Sequence, residues 1–145
     1  MRGNGAAKRR RQAPKVLMVD DEAPILMFYE AELADEGYDV VTATSGQEAL
    51  ELFASEKPDA VTLDIMLPMV QGGRLRSTVN PTGIRLLQQM KGMDGSIPVI
   101  MLTAFDYTDK MKNLPSDGYV VKSSDTDELK SLLERLVRRK EETRG

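Results

Sequence analysis

Five short apolar runs recur along the chain: "KVLMV" from Lys15, "YDVVTA" from Tyr38, "DAVTLDI" from Asp59, "IPVIMLTA" from Ile97 and "YVVK" from Tyr119. Each is too short for a buried helix and rich in valine, isoleucine or leucine, so each reads as a strand. Stretches with helical spacing stand between them. Regular alternation of strand and helix predicts a parallel sheet with helices on both faces, and right-handed crossovers leave few strand orders to consider. The expected fold class is α/β, a doubly wound five-stranded parallel sheet.

The helical stretches carry their own punctuation. The first is expected from Pro24 to Glu36, with proline at its first position, Ile25, Leu26, Tyr29 and Leu33 at helical spacing, and Gly37 as its stop. Ser45 and Glu48 have the spacing of a capping box for a second helix through Phe53 to Ser55. A third resumes near Pro81 or Thr82, with Asn80 as candidate cap and Ile84, Leu87 and Met90 on one side. The last, capped by Ser124 or Asp125, aligns Leu129, Leu132, Leu133, Leu136 and Val137 in one stripe. The methionines are read as core fillers.

Two connections break this regularity. Residues 65–80, "IMLPMVQGGRLRSTVN", are far longer than the usual ~2–6 residues between a strand and a helix. Their Gly72–Gly73 pair and few core-type residues predict an extended loop at the site rim, with Arg74 and Arg76 exposed to solvent. Between the fourth and fifth strands, "FDYTDKMKNLPSDG" contains Pro115, so the helix there is expected to be short or irregular.

Composition removes several function classes. There is no cysteine and no histidine. Disulfides, thiolate metal sites, the commonest zinc ligand and the commonest general base are therefore absent. The chain holds 20 basic and 23 acidic residues, but Arg2, Lys8, Arg9, Arg10 and Arg11 cluster in an acid-free start. The remaining body is acidic, which argues against nucleic acid as a partner. No run suits a membrane span or a secretory signal, so a cytoplasmic location is expected. The expected division is a basic tail over 1–14, a domain over 15–140 and a short tail over 141–145.

In a doubly wound sheet, residues just past the carboxyl ends of the strands line one rim. The first strand delivers Asp20 and Asp21 there, the third Asp64, the fourth Thr103 and the fifth Lys122. One such acid is readily explained as a helix cap. Three together repel, and a hard divalent cation with oxygen ligands, typified by Mg²⁺, relieves the repulsion and leaves room for a phosphoryl oxygen. Asp64 is then able to act as a nucleophile, with Thr103 and Lys122 binding the oxygens of a transferring phosphoryl group.

The motifs "VDDE", "LDIMLP", "IMLTA" and "YVVK", in that order on the strand ends, resemble the response-regulator receiver domain of two-component signalling. The resemblance spans about Lys15 to Lys140. It implies a flavodoxin-like sheet of order 2-1-3-4-5, Asp64 as phosphoacceptor, and Mg²⁺ held by Asp20, Asp21, Asp64 and the carbonyl of Met66. It also implies Thr103 and Tyr119 as the switch pair and Lys122 as partner of the aspartyl phosphate. By residues alone, Tyr119 reads equally as an ordinary half-buried strand aromatic. The implied partners are a histidine kinase or phosphotransfer protein as donor and an unknown output protein. The chain is expected to assist its own phosphorylation and dephosphorylation without being an enzyme in the ordinary sense, and to be a monomer.

Three departures from that family's pattern stand out. The loop after "LP" is long, the segment from Thr103 to Tyr119 is short, and Lys122 precedes Ser123 where a proline with a cis peptide is usual. A non-proline cis bond costs ~3–4 kcal/mol, so the Lys122–Ser123 bond is either strained or trans. Two other functions stay open: a phosphorylation-independent interaction module, and a phosphohydrolase working through an aspartyl phosphate. The latter lacks a second acid two residues beyond Asp64, where Met66 stands. Nothing after the last helix reads as an output domain, so a stand-alone or excised receiver is expected.

Overall fold

The structure, a computed structural model, describes residues 13–68, 82–104 and 113–144. The basic tail, most of the long loop including Arg74, Arg76 and Asn80, and residues 105–112 lie outside the described residues, so the expectations placed on them do too. Among the described residues, nine elements follow in chain order: β1 Lys15–Val19, α1 Ala23–Asp35, β2 Asp39–Ala43, α2 Gly46–Glu56, β3 Ala60–Leu63, α3 Thr82–Met93, β4 Val99–Thr103, β5 Gly118–Val121 and α4 Asp127–Arg144. The five strands form one parallel sheet of order β2-β1-β3-β4-β5. That is the doubly wound order expected.

Strand side chains alternate between faces, which is why the strands read as continuous apolar runs. Leu17 and Val19 of β1 join Val61, Leu63, Val99 and Met101 in a core closed by Ala49 and Phe53 of α2 and Leu86, Leu87 and Met90 of α3. Val16 and Met18 face the other way, with Ala60, Ile100, Leu102 and Val120, under Leu26, Tyr29 and Leu33 of α1 and Leu129, Leu133, Leu136 and Val137 of α4. Met18, Met90 and Met101 fill these cores, whereas Met27 and Met93 are 67% and 51% exposed and do not.

Local details bear out some of these expectations and correct others. Gly37 follows α1 with φ of +101°, the backbone a glycine stop requires. The Ser45 hydroxyl accepts the Glu48 N–H at 3.3 Å, but the Glu48 carboxylate reaches past Ser45 to the Thr44 N–H at 2.8 Å. At α4, Asp125 Oδ1 accepts the Asp127 N–H at 3.0 Å, while the hydroxyl of Thr126, the residue just before the helix, is committed to Glu32 at 2.9 Å. No cis peptide occurs among the described residues, so Lys122–Ser123 is trans. Among the described residues no helix is long and apolar enough to cross a membrane.

Candidate functional site

The carboxyl ends of β1, β3, β4 and β5 meet at one rim. Asp20 and Asp21 leave β1 at the turn into α1. The Asp20 N–H donates to the Ala43 carbonyl of β2 at 3.0 Å, and the Asp64 N–H donates to the Val19 carbonyl at 3.0 Å, so the sheet's hydrogen bonding continues past both strand ends. One carboxylate oxygen from each of Asp20, Asp21 and Asp64 lies within 4.8 Å of the others. Asp20 and Asp64 are buried and Asp21 is half-buried.

Lys122 enters this cluster from the end of β5. Its ammonium is 2.5 Å from Asp20 Oδ2, 3.5 Å from Asp64 Oδ2 and 3.7 Å from Glu22 Oε1. The other oxygen of Asp20 accepts the Glu22 N–H at 2.9 Å, so this residue both shapes the turn into α1 and holds the lysine. Thr103, fully buried at the end of β4, accepts the Lys122 N–H on its carbonyl at 2.7 Å. Tyr119 pairs with Met101 across β5 and β4 and packs, half-buried, on the α2–α3 side of the core. The structure thus brings Asp20, Asp21, Asp64 and Lys122 together and sets Thr103 beside Lys122 in the backbone. Tyr119 lies two residue pairs back from the Thr103–Val121 pair at the rim.

The electrostatics follow from this packing. Burial is the main cause that pushes the Asp64 carboxyl up to about 6, and the charge of Asp20 adds to it against the opposing pull of Lys122 and the Met66 N–H. For Lys122, burial favours the neutral form, but the hydrogen bond to Asp20 and the charges of Asp64, Asp20 and Glu22 together outweigh it and hold the ammonium above the ordinary lysine value. Among the described residues, one ammonium stands among several carboxylates. Clustered hard oxygen donors with excess negative charge fit a divalent cation of the Mg²⁺ type.

Three residues of the site were not singled out in the sequence. Glu22 extends the acid cluster and was legible only as one of three successive acids. Gly83 lets the start of α3 close onto the Asp64–Ile65 backbone, where an added Cβ would collide with the Asp64 carbonyl oxygen. Tyr29 was read as a core residue of α1, yet its hydroxyl accepts the Ser123 N–H at 2.8 Å and donates to the Ser123 carbonyl at 2.9 Å.

Comparison with known proteins matches this geometry to one family. A family model described as the response regulator receiver domain covers residues 16–134. The chain belongs to that family. Among curated relatives, this receiver domain is 41% identical over 128 residues to the "Probable transcriptional regulator ycf27" of Guillardia theta, covering 86% of this chain and 46% of that protein. It is 35% identical over 130 residues to the alkaline phosphatase synthesis transcriptional regulatory protein PhoP of Bacillus subtilis, covering 88% and 50%. The receiver domain spans about half the length of these relatives. Among solved structures, the response regulator TrrA of Thermotoga maritima, in complex with Mg²⁺ and BeF, superposes with a TM-score of 0.73 at 34% identity, covering 85% of this chain and 98% of that one. A CheY-like receiver from Methanospirillum hungatei reaches 0.77 at 23% identity, covering 91% and 99%, and shares the fold.

Proposed function

We propose that this receiver domain accepts a phosphoryl group on Asp64 and serves as a switch in two-component signalling. The observation that carries this reading is the grouping of three carboxylates within 4.8 Å of one another with the Lys122 ammonium 3.5 Å from Asp64. Asp20, Asp21, Asp64 and the Met66 carbonyl would hold Mg²⁺, which supplies charge neutralisation for the carboxylates and for the incoming phosphoryl oxygens. An Asp64 oxygen attacks phosphorus in line with the bond to the donor, whose nitrogen or oxygen leaves with the bonding electron pair. Lys122 pairs with an equatorial phosphoryl oxygen, and the Thr103 hydroxyl donates to another.

The donor class is a histidine kinase or a histidine phosphotransfer protein, since a chain without histidine accepts but does not donate from that side chain. Thr103 and Tyr119 form the proposed switch pair: the hydroxyl draws toward the phosphate, and the half-buried ring turns inward behind it. The relatives are named as transcriptional regulators, which supports an output in control of gene expression through a partner segment or protein.

Incubation with acetyl phosphate and Mg²⁺, followed by intact mass measurement, tests the reading. Wild type should gain one phosphoryl group and Asp64→Asn none. Equal labelling of both refutes Asp64 as acceptor, and no labelling of wild type leaves the phosphorylation-independent interaction module as the function.

A further inference from the structure

We propose that Tyr29 is a positioning residue for Lys122, acting through the peptide groups that flank it. The inference rests on the phosphoacceptor reading for its functional consequence and on geometry for its cause. Two peptide planes meet at the Lys122 Cα. The first is fixed by the Lys122 N–H donating to the Thr103 carbonyl at 2.7 Å. The second, the Lys122–Ser123 peptide, is fixed by the Ser123 N–H donating to the Tyr29 hydroxyl at 2.8 Å.

Holding both planes sets φ and ψ of Lys122, and with them the direction in which its Cβ leaves the backbone. The same hydroxyl donates to the Ser123 carbonyl at 2.9 Å, so the following peptide is held as well. The Ser123 hydroxyl accepts the Asp125 N–H at 3.1 Å, but it is the backbone N–H that meets Tyr29, and a proline at 123 would have none to give. The Lys122–Ser123 peptide is trans, and a hydrogen bond across 94 residues of sequence fixes the loop.

Tyr29 is suited to this part. It is 4% exposed, packed in the core between α1 and α4, with the Phe28 ring edge-on at 5.2 Å. Its helix begins at Ala23, after the Glu22 cap position that follows Asp20 and Asp21, whereas Lys122 leaves β5, which is separated from β1 by β3 and β4. Tyr29 therefore ties the acidic end of β1 to the basic end of β5 and sets the ammonium against Asp20 and Asp64. Without the hydroxyl, the Ser123 N–H and carbonyl lose their partner and turn toward water, and the loop carrying Lys122 relaxes.

The test is a cycle of four proteins: wild type, Tyr29→Phe, Lys122→Ala and the double variant. Tyr29→Phe should slow phosphorylation by acetyl phosphate about tenfold, the cost of displacing a charge-stabilising group by a fraction of an ångström. Mg²⁺ affinity, measured by calorimetry, should not fall, because an ammonium that retreats from Asp20 and Asp64 leaves these carboxylates more negative; a general loss of structure would lower both. In the Lys122→Ala background the tyrosine substitution should change nothing further. An unchanged rate in Tyr29→Phe, or the same loss with and without Lys122, overturns the inference.

Placement is also read without phosphorylation, by nuclear magnetic resonance of the Lys122 Nζ protons, whose exchange should quicken in Tyr29→Phe. An unchanged Lys122 signal refutes the positioning role even if the chain accepts phosphoryl. A wild type that takes no phosphoryl, while the Lys122 signal responds, refutes the phosphoacceptor reading alone.

Discussion

The backbone of Gly83 lies against the carbonyl oxygen of Asp64 so closely that a Cβ on this glycine would overlap it. The Gly83 N–H donates to the Ile65 carbonyl at 2.9 Å, so the first turn of α3 is fastened to the segment that carries Asp64, the proposed phosphoacceptor. The colliding atoms are backbone, which has little freedom to give way. Gly83→Ala is expected to cost about 1–3 kcal/mol by overpacking, seen as a lowered urea midpoint, and to reduce acetyl phosphate labelling of Asp64.

Asp64 should make the metal-free protein less stable as pH rises. Its folded value of about 6 stands above its ordinary 3.8, because burial and Asp20 disfavour the charged form. Between these values the native state binds more proton than the unfolded state, so this residue's contribution to stability falls as pH climbs from about 4 to 6 and is level beyond. The full difference is of order 2–3 kcal/mol. Denaturation across that window should show the decline in wild type and a flatter profile in Asp64→Asn, with Mg²⁺ reducing the difference between the two.

Asp117 anchors the opposite end of the same strands. Its carboxylate accepts the Val99 N–H at 2.8 Å and the Lys91 ammonium at 2.6 Å, while its own N–H donates to the Val99 carbonyl at 2.8 Å. Asp117→Ala leaves the first N–H of β4 without its acceptor. A loss of about 1–2 kcal/mol is expected, with Mg²⁺ affinity unchanged because the site lies at the other rim.

Activation should not dimerise this chain through the face made by β5 and the final helix. By sequence alone, Pro115 falls within the short span from Phe105 to Gly118 and disfavours a regular helix. Sedimentation with Mg²⁺ and beryllofluoride should show the same species as without them. A monomer-to-dimer shift, abolished by charge reversal on β5 and α4, would contradict this expectation.

Much of the architecture was legible because it is written in local periodicity. Strands buried on both faces must be apolar throughout, helices must repeat their apolar positions every three to four residues, and alternation of the two admits few sheets. The same topology makes strand ends predictable, so Asp20, Asp21, Asp64, Thr103 and Lys122 could be placed on one rim before any coordinates. Boundaries were less legible: Glu48 has the spacing of a capping box for Ser45, but its carboxylate finds the Thr44 N–H.

The sequence by itself determined the sheet, its apolar core and the convergence of acids with one lysine, since each depends on residue type at short spacing. Only the tertiary structure decided how Lys122 is aimed and how closely α3 meets Asp64. Tyr29 and Ser123 stand 94 residues apart, and nothing in either neighbourhood marks the hydroxyl as the acceptor for that particular N–H. Gly83 looks like an ordinary small residue until the Asp64 backbone is found against it. Such contacts depend on where two packed helices finally lie against the sheet, a through-space relation that local patterns of polarity do not encode.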